Sequence, residues 1–322
     1  MRQLLILFCT IPFLGIAQNT VCFTIDPNPN PNDPALGGFG KYVDVLGTLP
    51  IYAESSIPDA KVLHAAAIAA ELLDNDEDGI VDDQNLKNAL IANNTIMPLF
   101  AYEGSPVENT FYNNFQDCGG AVLYKNEIDP NNPTLWGYDA SLEEILHTIN
   151  ACGHLDIYSI TFDLQPNSSL MSNAMDIARG GQFLAIPNPY PSSAWYTYDD
   201  QTCDYECMAM EYMYWCIASN MGALSTVCSG IADEWDLCTP TLFQNTDTSM
   251  YAIVTNPQYK LPQLLPDGNY CPNTTSISEI NTNRKVIRVT NLLGRKIQKA
   301  TENQLLFYIY DDGTIEKRIT IE

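Results

Sequence analysis

Nine of the ten cysteines fall between Cys22 and Cys271, behind an apolar leader, and how they pair limits the fold more than any other feature. The chain begins MRQLLILFCTIPFLGIAQNT, with one basic residue, a short apolar run and a small residue at Ala17. This is the layout of a secretory signal peptide over residues 1–17, and the run is short for a membrane span. Cys9 lies inside that run. Export would place the other nine cysteines in an oxidising compartment, where disulfides form. The odd number leaves at least one thiol free or intermolecular. No CxxC pair occurs, so a cysteine zinc site is not expected. Cys203 and Cys207, four apart, are expected to bond to other elements. No second apolar stretch is long enough for a transmembrane span. The mature chain is expected to be secreted or held at the cell surface.

Charge divides the chain. Residues 18–275 carry six basic and thirty-three acidic side chains, a net of −27, whereas the residues after Ser276 carry eight basic and six acidic ones. A strongly acidic main domain (18–275) is therefore expected, followed by a separate tail (276–322). Nucleic acid is not an expected partner, because a phosphate backbone needs a basic face. Multivalent cations suit this charge.

In the tail, apolar and polar residues alternate in KVIRVTN, LLFYIYD and EKRITIE, and DDG signals a turn, so a small antiparallel β module is expected. The tail also resembles the C-terminal sorting domain of type IX secretion substrates of Bacteroidetes. The resemblance rests on Asn291-Leu292-Leu293-Gly294-Arg295, Leu306-Phe307-Tyr308-Ile309-Tyr310, Gly313-Thr314 and Lys317. It implies the type IX secretion machinery as a partner and export across the outer membrane. It implies nothing about what the cargo does.

The stretch ELLDNDEDGIVDDQNL alternates carboxylates at Asp74, Asp76 and Asp78, then places Gly79 where a tight loop must turn. Alternation brings side chains from one side of the loop onto one cation, and the Ile80 carbonyl can add a ligand. Asp82 and Asp83 close the run. The pattern resembles the DxDxDG calcium loops of EF-hand, dockerin and thrombospondin-type sites. Asn85 stands at the twelfth position where a bidentate Glu is usual, so Asp83 is the expected substitute. Calcium is the expected cofactor here, in a structural role; the same residues also fit a solvated acidic turn.

The fold class expected is α+β: a mostly helical main domain with a small sheet, then the antiparallel β tail. DAKVLHAAAIAAELL, DQNLKNALIA, SSLMSNAMDIARG and CDYECMAMEYMYWCIASNMGAL read as helices, and TIMPLFA and GGAVLYKNEI as strands. His64, on the Ala-rich first helix, reads as a packing or surface residue.

SLEEILHTINACGH holds two of the three histidines. On a helix, Glu143 and His147 are one turn apart on one face and can reach the same metal ion. Glu144, one residue on, can activate a water held there. This resembles the HExxH helix of zincin metallopeptidases, with Glu143 where the first His would stand. The resemblance implies zinc or another divalent transition metal, Glu144 as general base, a preceding strand (GGAVLYKNEI) that binds extended peptide, and an extracellular protein or peptide substrate. In the gluzincin branch the third ligand is a Glu on a later helix, for which Glu211 qualifies; His154 is the rival, if Gly153 ends the helix and folds it back. Tyr196 and Tyr198 could donate to a developing oxyanion. The plain reading of the same residues is a capping box, Ser141-x-x-Glu144, with Glu143 favouring the helix dipole. No GxSxG elbow and no phosphate-binding glycine loop occurs. Two functions remain open at this point: a secreted, calcium-stabilised metallohydrolase, and a non-catalytic calcium-binding surface or adhesive protein, which includes an inactive metallopeptidase relative.

Overall fold

A computed structural model describes residues 22–272, 285–291, 296–297, 305–310 and 315–319. The expected signal peptide, the expected boundary near residue 276 and the tail residues 292–295 and 311–314 lie outside them. Internal contacts divide the chain between Pro272 and Asn273. The architecture is α+β.

The first unit opens with a hairpin, β1 (Lys41–Val45) and β2 (Leu49–Ala53), followed by helices α1 (Asp59–Leu73) and α2 (Gln84–Ala92). Strand β3 (Met97–Phe100), helix α3 (Pro106–Asn114) and the two-residue strand β4 (Leu123–Tyr124) come next. The sheet order is β1-β2-β3-β4, antiparallel in the hairpin and parallel from β2 to β4, with Ile51 opposite Met97 and Leu99 opposite Leu123. The rest is helical: α4 (Ser141–Ile149), α5 (Leu155–Ile157), α6 (Ser159–Phe162), α7 (Leu170–Ala178), α8 (Tyr205–Met221), α9 (Pro240–Thr246) and α10 (Thr248–Val254). The sequence signals the long helices and β3 well. It gives no warning of β1 and β2, and it overstates β4, where the expected ten-residue strand shrinks to Leu123–Tyr124 before a 3₁₀ turn at Lys125–Glu127.

Helix α1 is buried over most of its length because small side chains let its neighbours approach: Ala65, Ala66, Ala67, Ala69 and Ala70 are all in the core. Helix α8 is apolar nearly all round and correspondingly buried. It ends where Gly222 adopts the left-handed conformation that favours glycine, with φ of 81°. Between them runs α4, which does not stop at Gly153. A π turn at Asn150–His154 carries it directly into α5. Gly153 lets α2 lie close there: a Cβ would come within 2.4 Å of Leu86 Cδ1 of α2, and that side chain would have to shift.

His64 is not a surface residue. It is buried, and its Nε2 lies 2.8 Å from Asp139 Oδ2. Asp139 also accepts from the backbone N–H groups of Asp129, Thr134 and Ser141 and from Ser141 Oγ. Burial raises the Asp139 pKa, yet the bonds from His64 and Ser141 outweigh it and hold it below the ordinary value. This hub ties α1 to the first residue of α4.

Four disulfides form: Cys22–Cys271, Cys118–Cys152, Cys203–Cys207 and Cys228–Cys238. Cys203 and Cys207 bond to each other rather than to other elements, because Cys203 sits just before α8 and Cys207 in its first turn. Cys216 is free and buried. No helix among the described residues is long and apolar enough to cross a membrane.

The second unit shows an antiparallel sheet of β5 (Val286–Asn291), β6 (Leu305–Tyr310) and β7 (Ile315–Ile319), with Leu306 opposite Asn291 and Arg318. The alternating pattern in the sequence marks all three strands.

Candidate metal centre

Helices α4 and α8 pack against each other, and their facing sides are not wholly apolar. Leu142, Ile145, Leu146 and Ile149 commit one side of α4 to the core. The remaining stripe carries Glu143 and His147. Glu211 projects from α8, and His147 Nε2 lies 3.5 Å from Glu211 Oε2. One ligand atom each from Glu143, His147 and Glu211 lie within 4.8 Å of one another. The imidazole also faces the Tyr214 ring of α8 at 5.7 Å between centroids.

His147 Nε2 is buried and has no hydrogen-bond partner; at 3.5 Å, Glu211 is an ion-pair neighbour and too distant to satisfy it. The cluster is short of positive charge. Burial, opposed by His147 and reinforced by Glu211 and Glu144, pushes Glu143 up to about 8. Burial likewise pushes Glu144 up to about 7. Burial alone would lower His147, but Glu211, then Glu143 and Glu144, outweigh it and hold the imidazole at about 9. Three carboxyl groups thus share one imidazole, and two of them meet the deficit of positive charge by holding protons toward neutrality, protons that a bound cation would displace.

The capping box does not form. The N-cap of α4 is Ala140, with no side-chain cap bond, and Ser141 Oγ is turned to Asp139. Glu144 is therefore free of the role that would have explained it as a helix start. Loop and helix are held close here: Gly120 has φ of 57°, and a Cβ on it would lie 2.5 Å from Thr148. The Thr148 hydroxyl accepts from Ala121 N–H and donates to the Glu144 carbonyl.

His154 is not brought to the cluster. Because the helix continues through the π turn, His154 stays on the far stretch, buried between Tyr158 and Phe162, and burial lowers it to about 4. Tyr196 is also committed elsewhere: it is fully buried and donates to the Met208 carbonyl. Tyr198 is half-buried, and Glu211, Glu234 and Glu143 all act on it to raise its pKa after burial, the leading cause. Glu234 is a residue the sequence did not flag. Burial, then Asp199, Asp233 and Glu211, raise it to about 7, so it belongs to the same acidic surroundings. Its segment, DEWDLC, carries no metal-ligand spacing that could have singled it out.

In the acidic loop, ligand atoms of Asp74, Asp76 and Asp78 lie within 4.8 Å of one another. Asp74 is buried and accepts from Asp78 N–H, Gly79 N–H and the Tyr270 hydroxyl. Gly79 turns with φ of 91°, and Ile80 N–H donates to Asp78. Ile80 itself is exposed. Asp82 is exposed and accepts from Asn75 N–H. Asp83 does not close the loop: it is the N-cap of α2, with Oδ1 accepting from Asn85 and Leu86 N–H and Oδ2 from the Tyr158 hydroxyl.

No protein family, curated protein or solved structure compared with the chain matches it.

Proposed function

We propose that the chain is a secreted, calcium-stabilised metallohydrolase, peptidase-like in its chemistry and zincin-like in its main domain. The observation that carries this reading is the meeting of Glu143, His147 and Glu211 across two helices around a buried imidazole nitrogen that makes no hydrogen bond. The donor set fits a divalent transition metal, zinc foremost, since imidazole and carboxylate oxygens are ordinary ligands for it. Two ligand carboxylates and a neutral imidazole would balance a doubly charged cation. Such a cation supplies the positive charge that polarises a water and a scissile carbonyl. Two carboxylate ligands leave it less electrophilic than two imidazoles would.

The chain's own residues do the rest. Glu144 takes the proton from the attacking water as the new C–O bond forms, then passes it to the leaving amine nitrogen as the C–N bond breaks. A general base working near neutrality suits a carboxyl whose pKa lies at about 7. Tyr198 would donate to the developing oxyanion. Calcium at Asp74, Asp76 and Asp78 would be structural. The tail (276–322) would engage the type IX secretion machinery, and the substrate would be an extracellular protein or peptide.

One observation favours the second reading, a non-catalytic calcium-binding surface or adhesive protein. Strand β4 offers only Leu123–Tyr124 as an edge for an extended peptide. Hydrolysis of a mixed peptide library by the full chain separates the two readings. The metallohydrolase cleaves when supplied with zinc, and Glu144→Gln binds the metal but loses activity by about 10²–10⁴-fold. Metal bound with no cleavage of any peptide would leave the non-catalytic reading standing.

A further inference from the structure

Arg179, the C-cap residue of α7, is fully buried, yet among the described residues no carboxylate forms an ion pair with it. Its Nη1 donates to the Phe183 carbonyl at 2.7 Å. Its Nε and Nη2 are buried and have no hydrogen-bond partner among the described residues. Asp176, one turn back on α7, is turned instead to the Tyr205 hydroxyl and to Gln182. The guanidinium carbon lies 5.5 Å from the centre of the Phe183 ring and 5.7 Å from that of Tyr190, and these two rings stand at 82° to each other.

The rings shield the cation and stabilise it in part. They cannot satisfy in-plane N–H donors. Nε and Nη2 share one edge of the guanidinium, and their hydrogens point the same way. That edge is a fork matched to two oxygens of a carboxylate or to one halide between them. A buried cation without a counter-charge is among the costlier arrangements a fold can keep. The segment that carries both rings, residues 180–194, holds no helix or strand, so admission of a small ion requires no regular element to open.

We infer that Arg179 is the base of an anion site that takes a small monovalent anion side-on at Nε and Nη2, under the Phe183–Tyr190 cage. This inference is independent of the metal centre. A chain bound for an extracellular medium meets such anions continuously, as halide or as the carboxylate of a small metabolite or peptide terminus.

The test uses the full chain. Thermal unfolding is followed at constant ionic strength while sodium sulfate is replaced by sodium bromide or by sodium formate. The site predicts a Tm that rises relative to that of Arg179→Met in the same salt, by about 3 °C at a tenfold excess over Kd and logarithmically beyond it. A rise with bromide alone marks a halide site, and a larger rise with formate at equal concentration marks a carboxylate site. If Arg179→Met fails to fold, a crystal of the unaltered protein grown in bromide decides, through an anomalous peak within hydrogen-bonding reach of Nε and Nη2. An equal Tm response of the unaltered chain and Arg179→Met to both anions, or water alone at that edge in bromide crystals, would overturn the inference.

Discussion

At the scale of the residue, the account turns on His147 and the carboxyl groups around it. Glu143 and Glu144 hold protons in the folded chain to about pH 8 and 7, above the ordinary carboxyl value of 4.5. A carboxyl raised in this way stabilises the metal-free fold below its unfolded pKa and loses that contribution as pH rises through its folded value. His147, raised from 6.5 to about 9, has the same sign over the higher window. Chelated protein should therefore lose Tm steadily from about pH 5 to pH 9, and a divalent metal should restore it most strongly at the alkaline end. Thermal unfolding across that range, with and without zinc, checks this; a flat profile would mean that the cluster does not titrate as described. Metal binding must also release protons, visible as a buffer-dependent calorimetric heat. The Glu143–His147 pair was legible in the sequence because the helical period fixes which residues share a face. Glu234 was not, because its approach depends on how a distant irregular segment packs.

At the scale of the element, α4 is useful only if its start and its axis are fixed. Asp139 fixes the start through His64 and Ser141. Asp139→Ala should leave those buried donors unpaired and cost about 3 kcal/mol, measured by urea unfolding, and should weaken metal binding at Glu143 without touching a ligand. Gly153 fixes the axis by letting α2 approach. Gly153→Ala drives a methyl into Leu86 and should cost about 1–2 kcal/mol even after the gain in helix propensity. The sequence allowed either Glu211 or His154 as the third ligand, with Gly153 as the helix stop on which His154 depended. The structure shows a π turn there instead, which hydrophobic periodicity does not encode. It also shows why Ser141-x-x-Glu144 is not a cap: the competing acceptor is Asp139, two residues upstream and itself held by an element 75 residues away.

At the scale of the whole molecule, the first unit is drawn closed at its ends. Cys22 bonds Cys271, 249 residues away in sequence. The same C-terminal segment is tied to the acidic loop: Tyr270 donates to Asp74, and Asn75 accepts from Gln263 and Leu264 N–H. Replacing Cys22 and Cys271 with serine should lower Tm by about 10 °C, the scale set by freeing so long a loop. Chelating calcium should also lower Tm, and Asp76→Asn should remove most of the difference between calcium-loaded and chelated protein. The acidic main domain, the β tail and the presence of disulfides follow from composition and spacing. Their connectivity does not, since nine cysteines allow many pairings, and the Cys203–Cys207 pair runs against the expectation of longer-range bonds. The claim on which the proposed hydrolase depends is that Glu143, His147 and Glu211 hold a metal. Elemental mass spectrometry of the purified full chain tests it most directly, beside His147→Ala. About one zinc or similar transition metal per chain, lost in the variant, is the expected result; calcium alone, unchanged by the substitution, would contradict it.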